Sequence, residues 1–191
     1  MLSRLLLGLA LVVIAAPAAA HTGHSGNASF MAGLLHPLTG WDHLLAIAAV
    51  GLWSVVRGRR APMVWPGVFL ASVLAGFGVA ALGAVFPGFE HVMLASILIP
   101  ALLAASALRV GLWSAAAAIG FFGFAHGHLH GIEAGTNALA PFATGMSTAM
   151  AGLLLLTVLG GSVAISGGAR GALRWAAGVL ATAGVTLGLV A

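Results

Sequence analysis

The stretch that decides the fold is 141-PFATGMSTAMAGLLLLTVLGGSVAI-165, which contains no charged side chain. A helix needs about 20 such residues to cross about 30 Å of hydrocarbon, and this run is long enough with some tilt. Its apolar residues show no period-2 alternation, so a strand reading does not compete. Working outward, similar segments follow closely at 30–56, 64–86, 91–107, 110–130 and 173–190. The first of them is interrupted at His36-Pro37. Helices satisfy their own backbone groups, which lipid cannot do for them. The expectation is an all-α integral membrane protein, a six-transmembrane-helix bundle.

The composition of the 191 residues agrees. Hydrophobic residues make up 61% and charged ones 5%, with a mean hydropathy of +1.15. A soluble domain carries about 25% charged residues. A soluble enzyme, a nucleic-acid binder and a disordered chain are therefore excluded. Arg supplies all 7 basic side chains against 3 acids, for a formal charge of +4. A few Arg on a nearly uncharged chain do not form a patch able to neutralise a run of phosphates. There is no Cys, which removes thiolate ligands, disulfides and a Cys nucleophile.

Residues 1–20 read as a secretory signal peptide: Arg4, then an apolar run, then Ala18-Ala19-Ala20 as a small-residue cleavage site. Residues 21–29 are a periplasmic tail, and 30–191 are the transmembrane domain. A mature N-terminus outside would put Arg57, Arg59, Arg60, Arg109, Arg170 and Arg174 all on the cytoplasmic side of a bacterial inner membrane, as the positive-inside rule requires. Asp42, Glu90, Glu133 and every His then fall toward the outside. Abundant Gly and Ala suit close helix seams, and a homo-oligomer is compatible with them.

Two constellations carry chemistry. In 36-HPLTGWDH-43, Pro37 disfavours helix at His36, and helix is expected to restart near Thr39 as its cap. Asp42 beside His43 reads as paired ligands or as an acceptor fixing the imidazole tautomer, with a helix-locking Asp–His or Asp–Arg pair as the structural alternative. In 126-HGHLHGIE-133, His126 and His130 stand four residues apart on one helical face. Glu133 joins that face and His128 points away. Gly127 and Gly131 thin the helix, so that a neighbour or a hydrated ion can come close. Two His and a carboxylate are a divalent-metal ligand set. Glu90-His91 reads equally as an exposed helix start, where Glu suits the dipole. His21 and His24 read as tail residues, and Met146 and Met150 as packing.

These motifs, with 50-VGLW-53 after the first, resemble the two signatures of the HupE/UreJ family. The first is also similar to the His-x4-Asp-His motif of nickel–cobalt permeases, but five residues intervene here. The resemblance covers nearly the whole chain. It implies nickel uptake, or cobalt in some relatives, with an indirect link to hydrogenase or urease maturation. It implies metal-handling roles for His36, Asp42, His43, His126, His128, His130 and Glu133. The metal is then cargo and no tightly bound cofactor is expected. The partners are a divalent ion and the bilayer, and the chain is a permease with no catalytic residue. The alternative is an intramembrane zinc-dependent hydrolase using the same residues, with Glu133 or Asp42 as base. Bis-His haem binding is a third reading. Without Lys or a Walker loop the chain cannot hydrolyse ATP.

Overall fold

A computed structural model describes residues 29–106, 108–134 and 139–190. The signal peptide and the tail with His21 and His24 lie outside the described residues. Every described element is a helix: α1 Phe30–Thr39, α2 Trp41–Arg57, α3 Ala61–Ala81, α4 Phe89–Ala105, α5 Leu112–Glu133, α6 Leu139–Ser166 and α7 Arg170–Val190.

α3, α6 and α7 are long and apolar enough to cross a membrane, and α1 with α2 forms a fourth such unit bent by 77°. α4, with 17 residues, is an apolar helix just short of that length. α5 has 22 residues, but its three His and Glu133 dilute its apolarity. Large apolar side chains, among them Leu155, Leu156, Leu159 and Val163 of α6, point outward. Among soluble proteins such a surface would be an interaction patch of unusual extent. Here it is the lipid-facing surface of a membrane protein.

The break in the first segment comes later than the sequence suggests. Ser29 caps α1 by accepting the Ala32 N–H at 3.1 Å. Pro37 is carried inside the last turn of α1. Thr39 does not cap α2. Its hydroxyl donates back to the His36 carbonyl at 3.0 Å and so closes α1. The chain turns at Gly40, in extended conformation. A Cβ on Gly40 would press on the Asp42 carboxylate and the His43 ring. The missing side chain is what lets those two groups fold back beneath α1.

The second apolar segment ends early for a related reason. α3 stops at Ala81, and Gly83 and Gly88 are left-handed, with φ of 89° and 85°. Val85 and Phe86 therefore lie in a loop despite their apolarity. Phe86 packs on Phe89 and Phe124 instead of extending a helix.

α2 is the centre of the bundle, packed by α1, α3, α4, α6 and α7. Twelve of its 17 residues are buried. Two glycine seams set the other close contacts. Gly76 of α3 and Gly127 of α5 each face a backbone carbonyl of the other helix, Phe124 and Val73. Gly33 of α1 and Gly145 of α6 do the same with Phe142 and Phe30. Without side chains, backbones approach to van der Waals contact, which is how helices associate where water supplies no hydrophobic drive. The space beside Gly127 and Gly131 is thus filled by α3, at Val73, Phe77 and Ala80, and not by a hydrated ion.

The Arg-bearing turns meet at one end of the bundle. Arg57 donates to the Val110 carbonyl at 3.1 Å, Arg170 to the Val56 carbonyl at 2.6 Å and Arg174 to the Ala105 carbonyl at 2.9 Å. The last two serve helix C-termini, where carbonyls lack partners and the dipole favours a cation.

Candidate metal centre

At the opposite end, α1, α2 and α5 converge. His36 ends α1, Asp42 and His43 open α2, and His126, His130 and Glu133 lie on the last two turns of α5. The seams explain the aim of each side chain. Gly123, Gly127 and Gly131 hold one face of α5 on α3, which turns His126 and His130 toward α2. Gly33 presses α1 onto α6 and holds His36 above.

The donor atoms are close. His36 Nε2 lies 3.0 Å from His130 Nδ1 and 3.3 Å from His43 Nε2. Glu133 Oε2 lies 3.2 Å from His130 Nδ1 and 3.5 Å from His36 Nε2. His36, His43 and His130 each present one ligand atom within 4.8 Å of the others. Metal–nitrogen bonds of about 2.0–2.1 Å place neighbouring ligands about 2.9 Å apart in an octahedron and about 3.4 Å apart in a tetrahedron. The separations of 3.0, 3.2 and 3.3 Å fall within that interval, and the 3.5 Å between Glu133 and His36 lies just outside it.

Asp42 fixes the geometry from below. Its Oδ1 accepts the His43 backbone N–H at 2.9 Å and the His43 Nδ1–H at 2.6 Å. That second bond leaves Nε2 as the lone-pair nitrogen, facing His36. A carboxylate behind an imidazole is the usual way to orient a metal-binding ring.

His126 is the deepest member and is fully buried. Its ring centroid is 5.1 Å from that of His43 and 5.4 Å from that of His130. Neither ring nitrogen has a hydrogen-bond partner among the described residues. Buried polar atoms are almost always satisfied, and an exception calls for an explanation such as a bound ion. The site also collects two of the chain's three carboxylates. With neutral imidazoles their charge matches one divalent cation, and every described Arg lies elsewhere. Access is graded: His36 and Glu133 side chains are 22% and 38% exposed, while His130 is buried.

His128 does not join this group. Its Nε2 donates to the Ala84 carbonyl at 2.9 Å, and its ring packs on Phe86, Phe89 and Phe124. It ties α5 to the α3–α4 loop. The half-turn offset from its neighbours is the reason. Glu90 and His91 are exposed at the start of α4. Met146 and Met150 are buried in the core. The aromatic contact of Phe142 with His36, at 5.5 Å, had no signal in the sequence.

A family model described as HupE / UreJ protein matches residues 9–187. The chain belongs to the HupE/UreJ family. Among curated relatives, Protein HupE of Rhizobium leguminosarum bv. viciae is 34% identical over 190 residues, covering 97% of each chain. No solved structure matches. Both His motifs fall within the span shared with the family model.

Proposed function

We propose that this protein moves a divalent transition metal, nickel or cobalt, across the bacterial cytoplasmic membrane. The ligand set is His36, His43 and His130, with Glu133 at the entrance, Asp42 orienting His43 and His126 as the inner acceptor. His128 serves as a tie to the α3–α4 loop. The observation that carries this reading is the convergence of imidazole and carboxylate atoms from three helices at ligand spacing. Imidazole and carboxylate without thiolate suit Ni²⁺, Co²⁺ or Zn²⁺ over Cu(I). The family's link with nickel and cobalt uptake for hydrogenase and urease favours the first two. In this reading the bent α1–α2 pair counts as one of six spans, residues 1–20 are a cleaved leader, and the metal-centre end faces the periplasm.

The test is ⁶³Ni accumulation in a nickel-limited host. His43→Ala, His126→Ala and His130→Ala at wild-type membrane abundance should each lose about tenfold or more, the usual scale for a lost metal-site residue. His128→Ala should retain most uptake once abundance is matched. Wild-type accumulation by all four variants would end the assignment. Unchanged accumulation with loss of a zinc-dependent hydrolytic activity would favour the hydrolase.

A further inference from the structure

The Arg end of the bundle carries a feature independent of the metal centre. Gly171, Arg174, Trp175 and Gly178 lie at i, i+3, i+4 and i+7 of α7 and so share one face. With Ala105, the last residue of α4, they line a hollow of about 450 Å³. Neither Gly171 nor Gly178 has anything within 4 Å of where a Cβ would stand. The two glycines therefore make the room.

Arg174 spends its Nε–H on the Ala105 carbonyl. That bond fixes the guanidinium plane, and no protein acceptor takes the remaining N–H groups among the described residues. Trp175 stands 79% exposed beside it. Toward the middle of the bundle the same surface turns apolar, with Leu102 of α4 and Val179 of α7 both about half exposed. A fixed cation and an indole at the helix ends, with bare apolar surface one turn deeper, match the layers of a phospholipid. Trp favours the headgroup level, guanidinium pairs bidentately with phosphate oxygens, and basic pockets between transmembrane helices take anionic headgroups.

We infer that this hollow binds the phosphodiester headgroup of an anionic phospholipid, whose acyl chains lie along the α4–α7 surface. The headgroup phosphate is the recognised chemistry. The apolar surface beneath it selects a lipid over a free anion.

Native mass spectrometry of the detergent-purified full chain tests this. Phosphatidylglycerol should be retained over phosphatidylcholine. R174Q should reduce that retention about fivefold, the effect of one basic residue near the surface, and G178L should lower it toward that of phosphatidylcholine by occupying the hollow. R60Q, an exposed Arg outside the hollow, should leave it unchanged. G178L keeps every charge and grows from a Cβ position with nothing within 4 Å, so it decides the matter even if R174Q loosens the helix end. Equal retention of the two lipids, full retention by G178L, or an equal loss in R60Q would overturn the proposal. Displacement of the lipid by excess inorganic phosphate would overturn it in favour of a soluble anion.

Discussion

At the scale of single residues, Asp42 does more than add charge. One of its oxygens holds both the backbone and the ring N–H of His43, so the tautomer of that ring is set before any ion arrives. Asp42→Asn offers the ring a weaker acceptor, or an amide that repels its N–H. Metal affinity should fall about 10- to 100-fold, the usual effect of losing such an orienting partner. Equilibrium dialysis of ⁶³Ni on the purified protein measures it, with circular dichroism to check the helices. In the same assay wild-type binding should weaken as pH drops below about 6. Only the neutral ring binds metal, so protonation competes with the ion, and binding releases protons. Flat binding down to pH 5 would count against imidazole ligands. Much of this site was legible in the sequence, because helical spacing alone places His126, His130 and Glu133 together and turns His128 away. The 3.0 Å approach of His36 to His130 was not legible. It depends on a bend at Gly40 and on where α6 holds α1, and neither is a local property of the motif.

Whole elements are positioned by glycine, and here the sequence was less informative. The 28 glycines as a group suit close helix seams, yet only some of the described ones meet a neighbour. A Cβ on Gly127 would overlap the Val73 carbonyl, whereas one on Gly152 of α6 would meet open space. The two residues thus form a matched pair. Either change to Ala improves helix propensity by about 0.8–1.0 kcal/mol. Only Gly127→Ala must also push α3 and α5 apart, at a penalty of about 1–3 kcal/mol. Thermal unfolding in detergent should therefore show Gly152→Ala at or above wild type and Gly127→Ala below it. Because α5 carries the metal-centre imidazoles, Gly127→Ala should also weaken ⁶³Ni binding without touching a ligand. Segment ends were limited in a similar way. Apolarity does not separate Val85 and Phe86 from the helix before them, since a loop at the membrane surface packs apolar side chains too. The turn chemistry of Gly83, Pro87 and Gly88 is the better guide.

Among the described residues the molecule is a dipole of residue types: arginines tie down one end, and imidazoles and carboxylates fill the other. That separation was legible from the order of segments alone, because each pair of crossings returns the chain to the same side. The orientation proposed above, with the arginines in the cytoplasm, rests on the positive-inside rule. α3 offers a direct test, because its two ends are free of the metal centre. Met63, in its first turn, is 83% exposed, and Leu82, just past its last residue, is 89% exposed. At 1.5 Å per residue they stand about 28 Å apart along the axis, close to the thickness of the hydrocarbon core. The chain has no Cys of its own, so Met63→Cys and Leu82→Cys each introduce one thiol and remove no Arg. In intact spheroplasts a membrane-impermeant maleimide should label Leu82→Cys, near the metal-centre end. Met63→Cys should label only after the membrane is opened, because it sits with the arginines. The reverse pattern would place the imidazoles on the cytoplasmic side, and the ion would then meet its ligands on the way out of the cell instead of on the way in.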